Sequence, residues 1–162
     1  NYAGRKPAEM SLGEINEAVE CFTKAANRAM QAGFDGVQIH AAHGYLLSCF
    51  LTPSENRRTD EYGGSAEGRR RLLIEVARAI RRELGSGVPI LCKLGVMDGR
   101  DNSLPIEEAV GTAVALEGAG IDAIEVSCTL PGTYMHPAAE GIDSPAKEAY
   151  FAGQAMAIKG AV

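Results

Sequence analysis

Apolar side chains recur along this chain at two spacings, one typical of helices and one typical of strands. The first segment carries one helical stripe, formed by Ile15, Val19, Phe22, Ala26 and Ala29. Ser11 and Glu14 match a capping box at its start, and Gly33 follows as a typical C-terminal stop. The pattern therefore predicts a first helix from about Ser11 to Ala32.

Three shorter apolar segments predict strands, at residues 36–40, 88–96 and 121–127. A polar connection, residues 41–65, follows the first of these strands. It is much longer than the usual connection in a compact domain, and such a length is typical of a functional loop.

Three further helices are predicted from their caps and apolar stripes. The first two begin at Ser65 and Pro105 and end at Gly85 and Gly120, and the last opens at residues 144–145. Their apolar positions are, in chain order, Leu73, Val76, Ile80 and Leu84, then Val110, Ala113 and Leu116, then Phe151, Ala155 and Ile158.

Residues 32–40 and 119–127 share one pattern, in which a helix end and a glycine precede an apolar residue, an aspartate and a strand. Repeated units of this kind predict parallel strands joined by helical crossovers. A doubly wound sheet and a (β/α)8 barrel both fit the pattern. No G-x-G-x-x-G sequence follows any predicted strand, which weakens the dinucleotide-binding variant of the doubly wound fold.

Composition narrows the class of protein. Hydrophobic residues make up 46% of the chain and charged residues 23%, as in ordinary soluble globular proteins. The net charge of -5 argues against nucleic acid or an anionic membrane as a partner, and no apolar run reaches the length of about 20 residues that spans a membrane. The four cysteines are widely spaced, so we expect free, mostly buried thiols in a reducing cytoplasm.

Three side chains that can form hydrogen bonds follow the first predicted strand closely: His40, His43 and Tyr45. Active sites of parallel α/β folds lie beyond the C-terminal ends of the strands. Imidazole N–H groups there could polarise a carbonyl or nitro oxygen, and a phenol could deliver a proton. Two other interpretations stay open, namely purely structural hydrogen bonding and a zinc site, although the H-x-x-H sequence has no third ligand nearby.

Residues 33–47, GFDGVQIHAAHGYLL, resemble the strand-four signature of the old yellow enzyme family. The continuation, FLTP at residues 50–53 and NRRTDEYGGS at residues 56–65, is similar to the signature loop of that family. The likeness extends almost without gaps from Ser11 to about Ser127. Residues 1–5 also resemble the end of the family's third strand, where His is common in place of Tyr2.

This resemblance implies an α/β fold, a partial (β/α)8 TIM barrel that spans roughly strands 4–6 with helices 3–6. Residues 1–162 would form a single incomplete barrel domain, since a whole barrel takes about 250 residues. The loops that bind the FMN phosphate would lie outside the chain. We therefore expect the chain alone to bind FMN weakly or not at all and to be inactive alone.

The resemblance also implies the roles of individual residues. His40 and His43 would hold the activating oxygen of the substrate and contact FMN, and Tyr45 would protonate the α-carbon of an alkene. Lys93 would contact the N1/O2 edge of the flavin, at a position where Arg is frequent in the family. The implied reaction is NAD(P)H-dependent reduction of activated C=C bonds in enones, nitroalkenes or dienoyl thioesters.

The implied partner is a small-molecule alkene, with no nucleic acid and no membrane. An isolated half-barrel would expose sheet edges and is expected to self-associate. Longer relatives carry an iron–sulfur cluster and FAD in further domains, which would lie downstream of this chain. In the long loop, Arg57, Arg58 and Asp60 are expected to form structural ion pairs, whereas residues 69–71, all arginine, are expected to form a solvated helix start.

Three rival functions remain. A flavin-barrel amine dehydrogenase or demethylase would keep His40 and Lys93 but would not need Tyr45 as an acid. A non-catalytic, self-associating half-barrel would need none of these residues. A flavin-free barrel lyase or aldolase would use Lys93 to form a Schiff base, but it has no reason to carry the loop signature.

Overall fold

The structure is a computed structural model, and it describes residues 8–97, 104–128 and 142–162. Helices and strands alternate along most of the chain. The elements are α1 (Leu12–Gln31), β1 (Val37–Ala41), α2 (Leu46–Leu51), α3 (Ala66–Leu84), β2 (Ile90–Gly95), α4 (Ile106–Gly118), β3 (Ala123–Ser127) and α5 (Ala152–Lys159), with a short 3-10 helix at Pro145–Lys147. The alternation predicted from the periodicity is therefore present.

The described strands form one parallel sheet in the order β1-β2-β3. Helix α3 connects β1 to β2, and helix α4 connects β2 to β3. Parallel neighbours need such crossovers because a short hairpin cannot return the chain to the same end of the sheet. The prediction of parallel strands with helical crossovers is confirmed.

The two faces of the sheet differ sharply in polarity. Ile39, Ile90, Cys92 and Leu94 are buried and belong to the core that the helices cover. Residues that alternate with them along the strands point to the opposite face. Each fully buried aliphatic side chain contributes about 2 kcal/mol of hydrophobic free energy. Because this energy holds the apolar residues against the helices, the residues that alternate with them must point to the opposite face.

The helix ends agree with the caps found in the sequence. The Ser11 hydroxyl accepts from the Glu14 amide, and the Glu14 carboxylate accepts from the Ser11 amide at 2.7 Å, which completes the capping box. The Ser65 hydroxyl accepts from the Gly68 amide at 3.0 Å. Gly85 closes α3 with a φ of 72°, in the left-handed region where glycine is unstrained.

Two predicted elements differ from the structure. The connection of residues 41–65 contains helix α2, because Leu47, Phe50 and Leu51 form a short buried stripe within it. The last predicted helix is divided: a 3-10 turn opens it, Ala149 has a φ of 51°, and α5 begins only at Ala152. A left-handed residue breaks the helical hydrogen-bond pattern, and apolar spacing alone carries no sign of it.

The long loop is held by the ion pair expected between Arg58 and Asp60. The Arg58 guanidinium bonds to both carboxylate oxygens of Asp60, and it also donates to the Met10 carbonyl at 2.6 Å. The Asn56 side-chain amide donates to the carbonyls of Phe50 and Tyr62 at 2.7 and 2.8 Å. The loop is thus fixed both to α2 and to the segment before α1.

Three smaller expectations about charged and thiol side chains differ in part from the structure. Arg57 is exposed and takes part in no ion pair between described residues. Arg69 is not solvated, because it pairs with Glu108 and so links α3 to α4, with only 13% of its side chain exposed. The cysteines are free, as expected, but Cys21 is exposed on α1, whereas Cys92 and Cys128 are buried.

Arg81 joins three segments at the N-terminal end of the sheet. Its guanidinium donates to the carbonyls of Gly85, Val88 and Gly120, and it pairs with Asp122 at 2.6 Å. The same Asp122 oxygen accepts from the Ile90 amide at 2.8 Å. One side chain therefore fixes the end of α3 against the starts of β2 and β3.

Replacing Arg81 by Met, which keeps the aliphatic stem, is expected to lower the free energy of unfolding by about 2–3 kcal/mol, since several partly buried carbonyls lose their donor. Arg82→Met is the matched control, because Arg82 is the next residue of the same helix and is exposed. Urea unfolding monitored by circular dichroism measures both. Equal losses in the two variants would contradict this role for Arg81.

Candidate active site

The register of the sheet places the predicted site residues on its polar face. His40 on β1 lies opposite Lys93 on β2, and Lys93 lies opposite Glu125 on β3. Paired residues of neighbouring strands point to the same side. His40, Lys93 and Glu125 therefore form one lateral row across the described sheet, on the face that the helices leave uncovered.

The turn after β1 brings two more side chains over this row. His43 has a φ of 62° and Gly44 a φ of 74°, two consecutive left-handed residues that reverse the chain. The His43 ring lies 5.0 Å from the His40 ring, and the Tyr45 ring lies 5.1 Å from it, measured between centroids. The two imidazoles and the phenol thus converge on one side of the sheet.

Strand β3 fixes the position of His43. The His43 amide donates to the Cys128 carbonyl at 3.1 Å, and its Nε2 atom lies 2.7 Å from the Ser127 hydroxyl. A non-glycine residue with positive φ is strained and needs such support from its surroundings. The end of β3 supplies it, so the His43 ring is anchored through both its backbone and its side chain.

Tyr45 is positioned by α2 and by the long loop. It occupies the N-cap of α2, whose Leu47 and Phe50 side chains are buried in the core. The Asn56 side chain, which bonds to the Phe50 carbonyl, ties the other end of α2 to the loop. The Tyr45 side chain itself is 49% exposed, so its phenol is accessible at the site.

Lys93 faces the site and not the helix layer. Its Nζ atom lies 2.8 Å from an oxygen of Glu125, and 26% of its side chain is exposed. The other Glu125 oxygen accepts from the side-chain amide of Gln38 at 2.9 Å. Gln38, Glu125 and Lys93 thus form a connected polar group that reaches across all three described strands.

The electrostatic environment keeps both imidazoles uncharged near neutral pH. Burial lowers the pKa of His40 below its usual 6.5, and the Lys93 charge lowers it further. Burial likewise lowers the pKa of His43, followed by the influence of His40 and Lys93. The Glu125 carboxylate opposes these effects at both rings. Its own pKa is lowered, mainly because it accepts a hydrogen bond from Lys93.

Sequence reasoning did not identify Gln38, Glu125 or Ser127 as parts of this site. The signal was present in the internal repeat, which aligns Gln38 with Glu125 and His40 with Ser127. Because the two repeats form β1 and β3, equivalent positions point to the same face of the sheet. Tyr2, which the resemblance had placed at the end of a preceding strand, lies outside the described residues.

Metal clusters and membrane-spanning helices are both absent from the described residues. No cluster of three His, Cys, Asp or Glu side chains in residues 8–97, 104–128 and 142–162 could hold a metal ion. Within the same ranges, every helix is too short or too polar to cross a membrane.

Similarity to known proteins agrees with this geometry. Residues 2–154 match the family described as NADH:flavin oxidoreductase / NADH oxidase. The NADPH dehydrogenase of Bacillus licheniformis is 45% identical over 123 residues, which are 76% of this chain and 36% of that protein. This chain therefore spans about a third of the length of the curated relatives it matches first.

Two solved structures show the same fold. A complex of 2-naphthoyl-CoA reductase with 2-naphthoyl-CoA has a TM-score of 0.74 and 35% identity, over 78% of this chain and 20% of that one. The old yellow enzyme homologue from Zymomonas mobilis has a TM-score of 0.67 and 33% identity, over 83% of this chain and 40% of that one. The prediction of a partial TIM barrel is confirmed, and the chain belongs to the NADH:flavin oxidoreductase / NADH oxidase family of old yellow enzymes.

Proposed function

We propose that this chain forms the substrate-facing part of an FMN-dependent NAD(P)H oxidoreductase that reduces C=C bonds activated by a carbonyl or nitro group. One observation carries the proposal: His40, His43 and Tyr45 converge on the polar face of the sheet, beside the Lys93 ammonium that is paired in register with His40. Two oxygen-binding groups, one proton donor and one cation are what this reaction requires.

The residues present fit one edge of a flavin. The N1 and O2 atoms of the flavin accept hydrogen bonds and carry negative charge after reduction, so a cation and N–H donors suit them. Lys93 and His40 supply these groups from neighbouring strands, at paired positions. In this proposal Lys93 contacts the N1/O2 edge, and His40 contacts both flavin and substrate.

The two imidazoles would bind the activating oxygen of the substrate. Their lowered pKa values leave each ring neutral at pH 7, with one N–H group to donate. As negative charge develops on the oxygen, fixed N–H donors stabilise it at little cost in reorganisation. The bond between His43 and Ser127 limits the rotation of one of these donors.

The Tyr45 phenol would deliver the proton. Its ring lies beside that of His40, so an oxygen bound at the imidazoles holds the α-carbon near the phenol. When bound, FMN would supply the redox chemistry, the transfer of hydride from NAD(P)H to the β-carbon of the alkene.

The relatives support the same class of reaction. The Bacillus licheniformis relative is named an NADPH dehydrogenase, and one structural neighbour is a reductase in complex with 2-naphthoyl-CoA. An amine dehydrogenase of similar fold would retain His40 and Lys93 but would make no use of the Tyr45 proton. Removing that proton therefore separates the proposed function from this alternative.

In the complete FMN-loaded protein, Tyr45→Phe is expected to lower alkene turnover about 100-fold or more, as loss of a general acid does. Reduction of the flavin by NAD(P)H should persist, because it does not use this proton. Stopped-flow absorbance measures the two half-reactions separately. Tyr62→Phe is the control, since it removes a phenol of the long loop that donates to Glu75 on α3. Alkene turnover unchanged by Tyr45→Phe would refute the proton-donor role.

The two imidazoles also predict a dependence of stability on pH. Their pKa values are lowered in the folded state, so between those values and 6.5 the unfolded chain binds more protons. The free energy of unfolding should therefore fall as the pH drops below 6.5, and this loss should end once both folded-state rings are protonated. Urea unfolding between pH 7.5 and pH 5.5 measures it.

The double variant His40→Gln, His43→Asn is the control for this pH dependence, because Asn tolerates the left-handed backbone at residue 43. It should lose most of the slope. Glu125 and Asp122, whose pKa values are also lowered, act only in a more acidic range. A slope that the double variant retains would assign the dependence to other groups.

We further propose that residues 1–162 act as the central part of a longer barrel. The three described strands compare with eight in a closed barrel, and the outer side of β3 borders a groove lined by Ile124, Val126 and Ile158. Glu117, Asp122 and Lys159 also line this groove, and in this proposal further barrel elements would cover it.

The isolated chain is accordingly expected to bind FMN much more weakly than the complete protein, since its described part supplies only three of the eight strands of a closed barrel. Equilibrium dialysis followed by flavin absorbance tests this. Stoichiometric FMN retained by the 162-residue chain would contradict the incomplete-barrel proposal.

A further inference from the structure

Glu125 is the most connected charged residue of the site, yet none of the roles proposed above uses it. One carboxylate oxygen lies 2.8 Å from the Lys93 ammonium, and the other accepts from Gln38 at 2.9 Å. Gln38 stands on β1 and Glu125 on β3, which are separated by β2. The Glu125 carboxylate therefore bonds to Lys93 on the neighbouring strand β2 and, across that strand, to Gln38 on β1.

This geometry restricts where the Lys93 ammonium can lie. A lysine side chain has four rotatable carbon links and loses considerable entropy when it is held in one place. The Glu125 carboxylate, itself held by Gln38, draws the ammonium toward β3 within the lateral row. Without this partner, nothing else among the described residues pairs with Lys93 at ionic distance.

The balance of charge in the site also depends on Glu125. Lys93 and Glu125 together are neutral, and the two imidazoles next to them have lowered pKa values and carry no charge at neutral pH. The four groups His40, His43, Lys93 and Glu125 account for the charges that shift the two imidazoles. Removing the carboxylate would leave an uncompensated ammonium beside two rings that are meant to donate to an oxygen.

We propose that Glu125 is a positioning residue of this site: held by Gln38, its carboxylate keeps the Lys93 ammonium in the row beside His40 and offsets its charge at the two imidazoles. The inference rests on the proposed function, because it assigns the group that orients the flavin-contacting lysine. In this proposal, activity depends on residues of β3 as well as on residues of β1 and β2.

Three variants of the complete protein separate charge from position. Glu125→Gln removes the charge but keeps the length of the side chain and its ability to accept from Gln38. Glu125→Asp keeps the charge but is one methylene too short to reach both partners. Glu117→Gln is the matched control, because it makes the same charge change at an exposed residue of helix α4.

The first measurement needs no flavin. The pKa values of His40 and His43 are followed by NMR of the imidazole Cε1–H groups, assigned through single His substitutions. Glu125→Gln is expected to shift both pKa values downward, since the carboxylate that raises them is gone, whereas Glu117→Gln and Glu125→Asp should leave them near the wild-type values. Unchanged imidazole titration in Glu125→Gln would overturn the electrostatic part of the proposal.

The second measurement uses the FMN-loaded protein. Both Glu125 variants are expected to lower kcat/KM for the alkene about fivefold, the effect of losing one partly screened ionic contact in the transition state, and Glu117→Gln should not. Wild-type kcat/KM in Glu125→Asp would overturn the positioning role, even if Glu125→Gln failed to fold. Should the wild-type protein reduce no alkene, the proposed function fails, while the flavin-free titration still tests the inference.

Discussion

The parallel register of β1, β2 and β3 is the constraint on which the site depends. His40 pairs with Lys93 and Lys93 with Glu125, so side chains from three distant parts of the chain share one row. A shift of any strand by one residue would turn its site residue toward the helix layer. The buried residues of the opposite face, such as Ile39, Cys92 and Leu94, prevent that shift because they fill the core.

The two ends of the strands have different roles, since one end holds the fold together and the other carries the site. At the N-terminal end, Arg81 and Asp122 join helix α3 to the starts of β2 and β3 through carbonyl and amide groups. At the C-terminal end, the left-handed turn at His43 and Gly44 and the start of α2 direct side chains back over the sheet. The strained backbone of His43 thus lies at the functional end, where the Ser127 and Cys128 contacts support it.

Family membership and geometry answer different questions about this chain. The match over residues 2–154 establishes the family and the fold. The arrangement of Tyr45, the two imidazoles and Lys93 supports one reaction of that family, the reduction of activated alkenes. The Glu125 and Gln38 contacts suggest that the charge balance of the site is set by a strand that carries none of the residues expected to contact substrate.

The sequence alone determined the order of the elements other than α2, the caps at Ser11 and Ser65, and the position of His40, His43 and Tyr45 at the end of a strand. These features depend on neighbours along the chain, and local periodicity and turn chemistry record them. Only the tertiary structure decided that Glu125 and Ser127 belong to the site, that Arg69 pairs with α4, and that Ala149 divides the last helix. The contacts of His43 with Ser127 and of Gln38 with Glu125 join residues 84 and 87 positions apart, so they depend on the register of the sheet. The pattern of hydrophobic residues along the chain specifies neither that register nor the backbone angles of a single residue.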